Sequence, residues 1–185
     1  MKARLLAALA AGTVLFAGCG SDAAAPPEAA STEAASTDAA STEEQEAAQG
    51  LSSNAVITYA FQDSSVPPQY HRSFVLTVSS DESRIVVDSY GDVLADERVP
   101  TDPEVWRTLA SGVGRVSSLT AVQSEPGCTG GTATVLEVID GGQVLADLDL
   151  DACAGANAEA ATAIDAWIAP ARDQFPAMDV LAPEG

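Results

Sequence analysis

The sequence predicts an α+β domain, an antiparallel sheet of about six strands with two packing helices in the order β-β-β-β-α-β-β-α. Three observations point there. Apolar residues alternate with period two through residues 56–61 and 73–79. Two further apolar runs flank Asp140-Gly141-Gly142. Two other segments, each opening on a helix-capping residue, carry an apolar stripe at helical spacing. Consecutive strands joined by short turns favour antiparallel pairing over a βαβ order.

In the first strand Ile57, Tyr59 and Phe61 alternate with Val56, Thr58 and Ala60. After a Pro67-Pro68 break, Phe74, Leu76 and Val78 alternate with Ser73, Val75, Thr77 and Ser79. A polar turn over 79–82 leads to Ile85, Val86 and Val87, ending near Tyr90-Gly91, and Val93 to Val99 forms a weaker fourth strand. β-Branched and aromatic residues at this spacing fit a half-buried pleated surface. Thr101-Asp102-Pro103-Glu104 then fits a capping box, with Val105, Trp106, Leu109 and Val113 as the inner face and Ser111, Gly112 and Gly114 as the stop. Residues 115–125 are open between a strand and a buried loop.

Thr132 to Ile139 and Gln143 to Leu150 flank the strongest hairpin signal. A two-residue Asp140-Gly141 turn sets Ile139 opposite Gly142, and on that register Cys128 also faces Cys153. A disulfide between them is therefore expected, closing a loop of about 25 residues for roughly 3 kcal/mol. The last helix is expected from Asn157, as N-cap, to Ala169, with Ala160, Ala161, Ile164, Trp167 and Ile168 inward and Pro170 as terminator. Phe175 and Val180-Leu181 are the candidate anchors of the tail.

This domain, residues 51–185, is preceded by two segments of other character. Residues 1–18 read as an export signal: Lys2 and Arg4 precede an apolar run from Leu5 to Phe16, too short to span a bilayer as a helix. Leu15-Phe16-Ala17-Gly18-Cys19 resembles the lipobox of bacterial lipoproteins, departing from it at Phe16. The resemblance covers these residues only. It implies that Cys19 becomes the first mature residue and carries lipid, on the extracytoplasmic face of the cell membrane, or in the outer membrane of a two-membrane cell. Residues 19–50 then form a tether. Its Ala-Ala-Ser-Thr-acid repeat, seven acidic residues and lack of aromatics are a composition of disorder.

The whole chain has a formal net charge of −19. In residues 51–185, six arginines meet twenty acidic residues and there is no lysine, leaving −14. Such acidity excludes phosphate-neutralising nucleic-acid binding and favours cationic partners by steering. A single histidine, His71, rules out a multi-histidine metal site.

Two places concentrate chemistry. The loop from Ser64 to Ser73 holds Tyr70, His71 and Arg72 between two strands, stiffened by Pro67 and Pro68. Tyrosine and arginine are favoured interface anchors, so these three are the candidate binding residues; a stiff structural connection is the alternative. Asp147, Asp149 and Asp151 share one strand face and are a candidate Ca²⁺ group, although the EF-hand template fails at Ala152 and Ala158. A solvated sheet face accounts for them equally. No catalytic residue and no cofactor is expected, since G-x-S-x-G, C-x-x-C, H-E-x-x-H and P-loop motifs are missing. The expected function is a membrane-anchored lipoprotein with a non-enzymatic binding or inhibitory domain for a cationic protein or peptide. The alternatives are an envelope structural or stress lipoprotein and, more remotely, a hydrolase using His71.

Overall fold

The structure, a computed structural model, describes residues 50–123, 130–152 and 155–183. The signal segment, Cys19, the tether up to residue 49, and Cys128 and Cys153 with their expected bond lie outside the described residues.

The chain runs through β1 (Val56–Gln62), β2 (Ser73–Val78), β3 (Glu82–Ser89), β4 (Asp92–Pro100), α1 (Pro103–Ser117), β5 (Ala133–Asp140), β6 (Gln143–Asp151), α2 (Ala158–Arg172) and one turn, α3 (Met178–Leu181). The strands form one antiparallel sheet in the order β4-β3-β2-β1-β5-β6, so the domain is α+β. Helix α1 returns the chain from the β4 edge to the far side of β1.

The period-two pattern sorts the sheet into two faces. On the inner face Leu148, Leu136, Tyr59, Leu76 and Ile85 stand in one cross-strand row. They pack beneath Leu109, Val113 and Val116 of α1 and Ile164, Trp167 and Ile168 of α2. Each fully buried aliphatic side chain there stabilises by about 1.5–3 kcal/mol. The Tyr59 hydroxyl donates to Asp165 Oδ1 at 2.7 Å. Burial, and then that carboxylate, push its pKa above the ordinary tyrosine value.

Helix boundaries depart from expectation for identifiable reasons. Asp102, not Thr101, is the N-cap of α1 and accepts from the Glu104 N–H at 2.7 Å. Thr101 is buried instead, its hydroxyl 2.8 Å from that of Ser83, and Glu104 pairs with Arg107. Gly112 does not stop α1, which runs on to Ser117. A Cβ at Gly112 would lie 2.8 Å from Trp167 Cδ1, so the missing side chain is what lets α2 lay its indole against α1. The indole then donates to Leu109 O at 3.1 Å. Residues 115–117 complete the helix, and beyond it Asn157 holds Val122 by both backbone groups, at 2.8 and 3.0 Å. Asn157 stands at the head of α2 but makes no side-chain cap. Pro170 lies inside α2, which ends at Arg172. A proline near the last turn costs one helical hydrogen bond, and the cap N–H of Asp173 still finds Ala169 O at 2.8 Å. Phe175 is buried as expected, whereas Val180 is exposed.

The β5–β6 register also differs. Asp140 pairs with Gln143 and the loop is Gly141-Gly142, both at positive φ. A type I′ turn needs positive φ at both central residues, which two glycines supply without strain. A bulge follows, so Val138 faces Ala146. The Asp140-Gly141 turn is thereby corrected, and the register that set Cys128 opposite Cys153 goes with it. Asp140 stays in the ladder because Ser52 donates to it from its hydroxyl and, at 2.8 Å, from its N–H. Those bonds hold the Asp140 carboxyl below its ordinary pKa.

Candidate binding site

The helices cover one side of the sheet; the opposite, open side carries a mixture of apolar and charged residues. Asp149, Val135, Ala60, Val75, Val86 and Asp96 form one row across it. Asp147, Glu137, Thr58, Thr77, Arg84 and Arg98 form the next. Val56 and Val75 are 40% and 38% exposed, an apolar centre without a cover among the described residues.

The two ends of these rows differ electrostatically. At the β3–β4 end Arg84 grips Asp96 with two bonds, at 2.8 and 2.6 Å, and Arg98 meets Glu82 at 2.9 Å. The forked bond from Arg84 lowers the Asp96 pKa and raises that of the guanidinium. At the β5–β6 end Glu137 stands directly opposite Asp147, with Asp149 one step on, and none of the three has a basic partner among the described residues. Like charges facing across strands are destabilising by roughly 0.2–1 kcal/mol.

Asp147, Asp149 and Asp151 do share this face. Alternate residues on a strand lie about 6.8 Å apart, however, while Ca²⁺ takes its oxygens at about 2.4 Å. Among the described residues no three His, Cys, Asp or Glu side chains are placed to hold a metal ion.

The proline loop folds against one end of the same face. Asp63 organises it, accepting from the N–H groups of Ser64 at 2.7 Å and Arg72 at 2.9 Å. Tyr70, His71 and Arg72 then part company. Tyr70 is 49% exposed, whereas His71 is only 5% exposed. Arg72 is spent on carbonyls: Nε on Ala182 and Nη2 on Pro183, both at 2.7 Å, and Nη1 on His71 at 2.6 Å. It straps the C-terminal tail to the loop rather than presenting a guanidinium outward.

His71 stacks on Tyr90, ring centroids 3.9 Å apart. Its Nε2 lies 3.4 Å from Ser73 Oγ, while its Nδ1 is buried with no hydrogen-bond partner. Tyr90 and Asp88 are the residues that sequence reasoning missed. Tyr90 occupies the tip of the β3–β4 hairpin at φ +53°, a conformation costing an L-residue about 1–2 kcal/mol. Its hydroxyl donates to Val66 O at 2.6 Å, and neighbouring Ser89 donates to Pro68 O at 2.8 Å. The available signal was a bulky aromatic directly before glycine at a hairpin tip, where asparagine is the easier residue.

These groups line an open hollow of about 410 Å³, formed by Ala60, Gln62, Asp63, His71, Ser73, Val75, Asp88 and Tyr90, with Phe61 and Phe74 behind. A second hollow of about 690 Å³ shares Gln62 and extends to Asp149 and Asp151. The open face thus offers acceptors and apolar walls, with aromatic surface at one end.

Comparison with protein-family models, with curated proteins and with solved structures returns no match.

Proposed function

We propose that the chain is a membrane-anchored, extracytoplasmic lipoprotein whose domain binds, and by binding inhibits or sequesters, a cationic protein or peptide. The observation that carries this reading is the open sheet face, where exposed valines adjoin Glu137, Asp147 and Asp149, none of which has a basic partner among the described residues. A facing pair of like charges is a standing cost to the free domain, and a cationic partner removes it. Apolar surface beside the acids supplies area that a purely solvated face lacks. Anchoring rests on the lipobox resemblance at Cys19, and the acidic tether suits a spacer that holds the domain off an anionic surface.

The His71–Ser73 contact favours one second reading, nucleophilic hydrolysis. An imidazole base works when a third group orients its other nitrogen, however, and Nδ1 has no partner among the described residues.

Calorimetric titration of the full-length chain with octa-lysine tests the binding proposal. Micromolar binding that weakens steeply as salt shortens the Debye length from about 10 Å to 3 Å is expected. The triple variant Glu137→Gln, Asp147→Asn, Asp149→Asn should lose most of it. Equal affinity in the triple variant would refute the assignment of the face.

A further inference from the structure

We infer that the hollow at the Tyr90 end of the open face is a socket for one arginine side chain of the cationic partner. The inference rests on the binding function proposed above and adds the residue type recognised. At about 410 Å³ the open hollow has room for a guanidinium and its methylene stem.

Its chemistry selects a planar, donor-rich cation. Asp88 accepts from the Gly91 N–H with Oδ1 at 2.9 Å, and its second oxygen has no protein partner among the described residues. Tyr90 is 56% exposed: one side of its ring lies on His71 and the rest faces out. Ala60 and Val75 give the walls an apolar stretch for a methylene stem. A guanidinium pairs with a carboxylate while stacking on an aromatic face, whereas an ammonium pairs without stacking.

Two further features mark the hollow as a built site. His71 lines the hollow almost fully buried, with Nδ1 unpartnered. Whichever ring nitrogen carries the proton, the hydrogen-bonding capacity of Nδ1 is left unmet among the described residues. The other feature is Tyr90 itself. Asparagine would hold this turn without strain, yet the position carries a ring fixed by its backbone, its stack on His71 and its bond to Val66. A rigid aromatic loses little freedom on binding.

The test compares octa-arginine with octa-lysine on the full-length chain by calorimetry at low salt, in wild type, Asp88→Asn, Tyr90→Asn and Tyr90→Phe. Wild type should favour octa-arginine by about tenfold. Tyr90→Phe should keep that preference; Asp88→Asn and Tyr90→Asn should erase it. Asp88→Asn retains an acceptor for the Gly91 N–H, so it decides the matter even where Tyr90→Asn unfolds. Equal affinity for the two peptides, or a preference unchanged in Asp88→Asn, overturns the socket while leaving the open face as a cation-binding surface. Binding of neither peptide overturns both.

Discussion

Gly112 and Gly114 lie two residues apart in α1, and the structure assigns them opposite responses to the same substitution. Alanine is intrinsically better than glycine in a helix by about 1 kcal/mol. At Gly114 nothing lies within 4 Å of an added Cβ, so Gly114→Ala should stabilise by up to that amount. At Gly112 the added Cβ meets Trp167 Cδ1 at 2.8 Å and Nε1 at 2.9 Å. The indole must then move, which strains a packed core by about 1–3 kcal/mol. Moving it also weakens the donation to Leu109 O, worth about 1 kcal/mol. After the helix gain is deducted, Gly112→Ala should destabilise by about 1–3 kcal/mol. Urea and thermal unfolding of the full-length chain measure both variants, with a Tm change of roughly 3–5 °C per kcal/mol for a domain of this size. A Gly112→Ala protein as stable as Gly114→Ala would refute the close approach of α2 to α1, and with it the account of why α1 passes through a glycine that reads as its end.

Three further outcomes follow from named contacts. The Asp140 carboxyl has a depressed folded pKa, so its contribution is complete above the unfolded value of about 3.9 and is lost as pH falls through the folded value. Unfolding measured across pH 2–5 should therefore show a shallower acid loss in Asp140→Asn than in wild type. Arg72→Ala releases the Ala182 and Pro183 carbonyls and should speed amide exchange in residues 178–182, at a stability cost of about 1–2 kcal/mol, while leaving octa-lysine affinity unchanged. Glu137→Gln relieves the repulsion across from Asp147 and should stabilise by roughly 0.2–1 kcal/mol at low salt while weakening cation binding. A variant that lost stability instead would show that Glu137 has a local partner.

The alternation in 56–61, 73–79 and 132–150 made the strands legible, because the inner-face positions are apolar apart from Thr134 and any slip of one residue exposes them. Element ends were less legible, since they depend on partners distant in sequence. Gly112 reads as a stop until Trp167 is known to lie over it. Thr101 reads as a cap until Ser83, on β3, takes its hydroxyl. The hairpin register turned on which two of Asp140, Gly141 and Gly142 form the loop, and the bond from Ser52 that keeps Asp140 in the ladder lies 88 positions away. The candidate site shows the same division. The loop was visible through its lone histidine and paired prolines, but His71 turned inward and Arg72 toward the tail. Asp88 reaches the loop only through the pairing of Ser73 with Asp88, a register that no local pattern announces.

Amide chemical-shift mapping of the isotope-labelled full-length chain, titrated with octa-lysine, tests the binding face most directly. The account predicts that the largest perturbations fall on Val135, Glu137, Asp147, Asp149 and Val75, with α1 and α2 silent. Perturbations concentrated on the helices, or spread evenly over all exposed acids, would contradict it.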